Sequence, residues 1–288
     1  MIPAPIPGVL DIEGAETQRV PLVFDSPHSG TLYPDDFRHS ADPAQVRMAE
    51  DTHIEALFAA APQVGAVLLH ALFPRAYVDA NRAADDMDPG QIAGAYPEPL
   101  NPGVKSRLGI GLCWTRVPPD GAPMYDRPLA ATEVAARVVR YHRPYQQTLR
   151  ALLDRAHDRW GAVWHVNCHS MPHLASAMSD EPPGTPRADF VLGDRDGTTC
   201  KAGFTATVRD FLAARGYSVA INDPYKGVEL VRANGDPAAG RHSLQLEVNR
   251  RLYMDEATRL PTPGFAPLQE LLGTLAAHLA GYTAGRGV

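Results

Sequence analysis

The chain has 288 residues, 44% of them hydrophobic, and a formal net charge of −6. That is enough apolar material for one large α/β domain and argues against disorder, while the acidic balance argues against nucleic acid, whose phosphates want a basic face. No window nears the ~18 apolar residues of a membrane span, the proline-split start MIPAPIPGVL lacks the basic region of a secretory signal, and three scattered cysteines (113, 168, 200) make a disulfide framework or a thiolate zinc site unexpected; a reducing cytoplasm is the expected location.

Strand and helix signals alternate along the chain, the pattern of a layered α/β fold. Residues 20–25 (VPLVFD) read as a first strand. Residues 43–61 read as a helix, with Asp42 as N-cap and Pro43 at the first helical position; Val46, Ile54, Leu57 and Phe58 follow a helical spacing. Residues 66–69 and 76–80 read as strands. The stretch 85–128 is rich in Gly and Pro and too long for an idle connection, so a site-lining excursion is expected. Residues 132–159 form a long helix or a kinked pair, because Pro144 interrupts the pattern. Residues 162–167 (AVWHVN) are a strand running into Cys168 and His169. A short strand at 189–192, a helix at 198–215, strands at 217–221 and 243–248, and a closing amphipathic helix at 267–282 complete the expected order. This gives a single α/β domain over 1–288 with the excursion at about 85–128.

The chemically suggestive residues fall at strand ends and in the loops after them, where open α/β sheets bind ligands. His28 lies in FDSPHSG, a tight turn after an apolar strand. His169 lies in WHVNCHSMP, again just past a strand, with His165 four residues earlier as a packed or supporting group. Asp51 lies in EDTHIEALF, where helical spacing puts Asp51 and Glu55 on one face. Two imidazoles and a carboxylate from separate segments make an open zinc site of three protein ligands. The plainer alternatives remain for each: a turn histidine bonded to backbone, or solvated helix acids. Glu247, in SLQLEVNR, shares one strand face with Gln245 and Asn249. An acid in mid-strand either faces solvent or faces a site as a proton acceptor. Asn81 and Arg82 follow AYVDA and can grip a carboxylate by a forked contact, or Arg82 can pair with Asp79, Asp85 or Asp86. Arg116 in CWTRVP is a second candidate anion holder. Ser29 and Ser170 lack a G-x-S-x-G elbow, and no nucleotide-binding glycine pattern occurs.

Taken in order, FDSPHSG, EDTHIEALF, RAYVDANRAADD, GLCWTRVPPDGAPMY, HVNCHSMP, DFVLGDRDG and HSLQLEVNRRLYMDE resemble the N-formylglutamate amidohydrolase (deformylase) family, over about 21–256. That family is similar to zinc carboxypeptidases and aspartoacylases. The resemblance implies a three-layer αβα fold with a mixed central sheet, and one Zn2+ held by His28, Asp51 and His169, although related divalent metals suit such donors. It implies substrate carboxylate binding by Asn81 and Arg82, and Glu247 as the catalytic acid and base. In the carboxypeptidases the acidic ligand follows the first histidine by three residues; here that position is Thr31, and the resemblance moves the role to Asp51. The expected reaction is cleavage of N-formyl-L-glutamate, a small-molecule substrate in histidine degradation, to formate and glutamate. Hydrolysis of another N-acyl amino acid or small amide, or an inactive binding protein of the same fold, are the alternatives. The oligomeric state is not legible.

Overall fold

The computed structural model describes residues 2–285; residue 1 and residues 286–288, the ends of the expected 1–288 domain, lie outside them. In chain order come β1 (Leu10–Glu13), β2 (Leu22–Ser26), α1 (Pro43–Arg47), α2 (Ile54–Leu57) and β3 (Val67–Ala71). The excursion carries β4 (Ile92–Ala93), α3 (Val104–Arg107), β5 (Arg116–Val117), β6 (Ala122–Pro123) and β7 (Leu129–Ala130). There follow α4 (Ala131–Arg137), α5 (Arg143–Trp160), β8 (Val163–Met171), β9 (Phe190–Gly193), α6 (Ala202–Ala213), β10 (Val219–Ile221), α7 (Glu229–Asn234), β11 (Arg241–Asn249) and α8 (Phe265–Ala284).

Among the described residues one sheet has seven strands, ordered β1-β3-β2-β8-β11-β9-β10. β1 runs antiparallel to β3 and β9 antiparallel to β11, while the other neighbours are parallel, so the sheet is mixed. Period-two alternation separates the two faces of the strands. Leu22, Phe24, Leu68, Trp164, Val166, Leu244 and Leu246 pack on one side with α2, α6 and α8. Val23, Val67, Leu69 and Val163 pack on the other with α4 and α5. The expected layered α/β architecture with helices on both faces is what the chain forms. No helix among the described residues is long and apolar enough to cross a membrane.

Several boundaries move for physical reasons. The helix expected over 43–61 is two short helices, because the chain breaks at 48–53 and His53 takes a left-handed conformation at φ 71°. Asp42 does cap α1, accepting from Ala44 N at 2.7 Å. Residues 76–80 are turn rather than strand, and β1, which pairs with β3, was not anticipated. The long helix carries a π turn at Val138–His142 between α4 and α5; Pro144, just beyond, cannot donate to the i→i−4 ladder. β8 runs on to Met171, so His169 lies inside a strand, not past its end.

Candidate active site

The inner face of β8 and β11 is polar though fully buried. Residues alternating with the apolar set place Asn167 and His169 on β8, and Gln245 and Glu247 on β11, on one side; register pairs Glu247 with His169 and Gln245 with Asn167. The sheet itself therefore sets Glu247 beside His169 on neighbouring strands, whose backbones run about 4.8 Å apart.

His28 enters from the turn after β2. That turn lies against the chain at 72–73: a Cβ at Gly30 would sit 2.3 Å from Phe73 O, so only glycine permits the approach. Asp51 comes from the break between α1 and α2, and its backbone N–H donates to His28 O at 3.0 Å. The helix placement of Asp51 is thus corrected: a loop tied to the His28 turn presents it. Ligand atoms of His28, Asp51 and His169 lie within 4.8 Å of one another. Asp51 Oδ2 is 3.3 Å from His28 Nδ1 and 3.0 Å from His169 Nδ1. The neighbouring Glu50 is turned away, held by Tyr33, Arg47 and Thr52, and His53 Nε2 donates to Arg259 O.

The remaining ring nitrogens decide whether a cation fits. His28 Nε2 is 2.6 Å from Asp79 Oδ1. Burial would raise the Asp79 pKa, but its contact with His28 and the charge of Arg75 outweigh it and hold the carboxyl well below its ordinary range. His169 Nε2 is 2.7 Å from Asn167 Oδ1. Asn167 cannot be turned over, because its Nδ2 donates to Asp25 Oδ1 at 2.7 Å, and Asp25 is a buried carboxylate that can only accept. Asp25 also accepts from His165 and Tyr145, which offset its desolvation and keep its pKa lowered. Such bonds to a charge contribute about 1.5–3 kcal/mol each. Both Nε2 atoms therefore carry protons. Asn81 Nδ2, 3.0 Å from His169 Nε2, directs its own proton to Asn167 Oδ1 at 3.2 Å. In the neutral rings both Nδ1 lone pairs then face Asp51 Oδ2. Three lone-pair atoms converging without a proton between them repel unless a cation joins them. Donors around a tetrahedral ion with bonds of about 2.0–2.1 Å stand about 3.3 Å apart, close to the two separations from Asp51 Oδ2, so these residues fit a divalent metal.

Two arginines that sequence reasoning missed balance the acids. Arg250 Nη2 donates to Asp51 Oδ1 at 2.9 Å and to Glu50 O at 2.8 Å. Arg75 forks onto Asp79 Oδ2 at 3.0 and 3.3 Å and stacks on Trp114. Burial works against Asp51 ionisation, but the His169 and His28 contacts and the Arg75 charge keep its pKa well below the usual value. Their only sequence signal is position: Arg250 directly follows β11 and Arg75 lies four residues before Asp79.

A cleft of about 500 Å³ opens over this cluster. Glu247, 7% exposed, reaches it, with Oε1 accepting from Gln245 Nε2 at 2.9 Å. Burial pushes its pKa up, His169 opposes, and Asp51 adds to the rise. Asn81 and Arg82 line the cleft. Asn81 Oδ1 accepts from Leu230 N at 2.8 Å. The Arg82 guanidinium makes no hydrogen bond among the described residues; its nearest acids are Asp79 at 3.9 Å and Asp86 at 4.0 Å. Burial lowers its pKa, with Asp79 opposing. From the excursion, Lys105, Ile110, Trp114 and Pro118 reach the cleft. Arg116 stands apart from it: exposed, its Nη1 donates to Gly121 O at 2.9 Å.

A mixed α/β sheet with a His-Asp-His cluster, a raised-pKa glutamate and an arginine held only by long ion pairs in one cleft has the parts of a hydrolytic enzyme. The model of the N-formylglutamate amidohydrolase family matches residues 20–254, and the chain belongs to that family. It is 30% identical over 245 residues to the N-formylglutamate deformylase of Pseudomonas putida, covering 83% of each chain. It is 31% identical to the one of Pseudomonas aeruginosa, over 83% of this chain and 84% of that one. The crystal structure of N-formylglutamate amidohydrolase from Ralstonia eutropha JMP134 superposes with a TM-score of 0.93 at 49% identity, over 98% of this chain and 100% of that one. A gene product of Agrobacterium tumefaciens, at 17% identity and TM-score 0.62, shares the fold.

Proposed function

We propose that the chain hydrolyses the formamide bond of N-formyl-L-glutamate to formate and glutamate, with Zn2+ held by His28 Nδ1, Asp51 Oδ2 and His169 Nδ1. The observation that carries this reading is the placement of Glu247 beside His169, in the cleft where the three donors converge. A divalent cation there supplies Lewis acidity to the amide carbonyl and brings the pKa of water from about 15.7 toward ~7. The relatives' names support the substrate.

The protein's own groups do the rest. Glu247, partly shielded from water, accepts the proton of the attacking water and then hands it to the departing amine nitrogen. Its raised pKa suits both halves of that exchange. Gln245 holds one carboxylate oxygen, which leaves the other to work. Asp79 and Asn167 fix the tautomers of His28 and His169, and Arg250 and Arg75 hold the Asp51 and Asp79 carboxylates in place. Arg82, partly buried and without a side-chain hydrogen bond, binds the α-carboxylate with Asn81 beside it.

Release of the free amino acid from a panel of N-formyl-, N-acetyl- and N-succinyl-L-amino acids with added Zn2+ tests the substrate, with N-formyl-L-glutamate expected to give the highest kcat/KM. Arg82→Ala is expected to raise KM for it by about 10- to 100-fold, the worth of a hydrogen bond to a charge. An unchanged KM removes Arg82 from carboxylate binding, and preference for an N-acetyl or N-succinyl compound removes the deformylase reading.

A further inference from the structure

The proposed substrate is a diacid, and Arg82 accounts for one carboxylate. Among the described residues the cleft presents five other Lys and Arg side chains: Arg75, Arg250, Arg187, Lys105 and Lys226. Three are spent. Arg75 is forked onto Asp79. Arg250 donates to Asp51, to the Glu50 and Met48 carbonyls and to Ser170. Arg187, its side chain only 2% exposed, donates to both oxygens of Glu181, to Ser179 Oγ and to Pro172 O. Breaking a buried pair of that kind strands a charge and is costly.

Lys105 and Lys226 differ from these because their partners belong to solvent. Lys226 pairs with Asp196, but its side chain is 58% exposed, so its charge is hydrated and screened. Lys105, on α3, is 24% exposed, and its Nζ donates to Asp180 Oδ1 at 2.9 Å and to Met178 O at 3.4 Å. Asp180 is 70% exposed. A pair with one such exposed partner is weakly held, yet the Lys105 side chain is itself only partly exposed, and an anion is felt more strongly there than in open water. The adjacent acids Asp180 and Glu181 thus have opposite fates. Glu181 anchors its segment to Arg187, and the isolated bridge between Leu174 and Pro186 closes that segment at its base. Asp180 reaches Lys105 from the same anchored segment and is free to leave.

We propose that Lys105 is the second carboxylate-binding group of the cleft, and that Asp180 occupies it as the chain's own stand-in for the substrate's side-chain carboxylate. This rests on the diacid reading of the substrate given above. On binding, the incoming carboxylate takes the Lys105 ammonium and Asp180 turns out to water; no covalent bond changes. A cation that must exchange an internal acid for an external one discriminates against substrates with neutral side chains, which offer nothing in return for Asp180.

Calorimetric titration with glutarate, a five-carbon diacid, and butyrate, a monoacid, tests this without turnover. Glutarate is expected to bind the full-length wild-type protein more tightly than butyrate. Lys105→Met is expected to weaken glutarate by about 10- to 100-fold and to leave butyrate within about twofold, while Asp180→Asn strengthens glutarate by removing its competitor. Loss of both ligands alike, no loss in Lys105→Met, or weaker glutarate binding in Asp180→Asn overturns the assignment. In the formate assay the KM of Lys105→Met should rise for N-formylglutamate and hold for N-formylmethionine. Because glutarate is not hydrolysed, the binding pattern stands or falls separately from the deformylase activity: its presence without formate release would end the activity reading and keep Lys105.

Discussion

Glu247→Gln should lower kcat for N-formylglutamate by about 10²- to 10⁴-fold, the range expected for loss of a positioned proton acceptor, and should leave the metal content unchanged. The amide is isosteric, and its oxygen can still accept from Gln245, so the fold and the His-Asp-His cluster have no reason to move. The pH profile separates a proton-transfer role from a packing role. Burial raises the Glu247 pKa above its ordinary value of 4.5. The base works ionised, so wild-type kcat/KM should decline as pH falls through that raised value. The residual activity of Glu247→Gln should lack this limb. Turnover near the wild-type rate would discard Glu247 as the proton carrier.

His169→Ala should release the metal and reduce turnover to background. The imidazole is one of two nitrogen donors facing Asp51 Oδ2, and its removal also leaves Asn167 Oδ1 without its shortest partner. Loss of a group that merely orients a ligand costs about 10–100-fold in metal affinity, and loss of the ligand itself should exceed that. Elemental analysis after gel filtration checks the stoichiometry. Thermal unfolding gives an independent reading: added Zn2+ should raise the wild-type Tm, because binding to the folded state stabilises it, and should not raise that of His169→Ala. Full metal retention in the variant would reject the three-residue cluster.

The central strands were legible because their alternation is clean. β2, β8 and β11 each carry an apolar set on one face, and the polar residues between, such as His169 and Glu247, are forced onto the other. The layered α/β architecture followed from the order of strand and helix signals, while the mixed character of the sheet came only from the family resemblance. Asp51 shows where local reading ends. Val46, Ile54, Leu57 and Phe58 have helical spacing, yet the chain breaks at 48–53, where Asp51 meets two histidines and an arginine 199 residues away in sequence. Partners that distant outweigh a weak local preference. Residues 76–80 failed for the same reason: AYVDA has strand composition, but Asp79 must face both His28 and Arg75 from a turn. Arg250 and Arg75 were invisible as site residues because a buried guanidinium is explained only by the carboxylates that the fold brings to it.

One measurement bears on the whole proposal, that His28, Asp51 and His169 share a divalent cation needed for deformylation. The protein is dialysed against a chelator, its metal content is measured, and formate release from N-formyl-L-glutamate is followed as Zn2+ is returned. Activity should vanish in the stripped protein and recover fully near about one ion per chain, the stoichiometry of a single three-ligand site. Undiminished formate release from metal-free protein would contradict it.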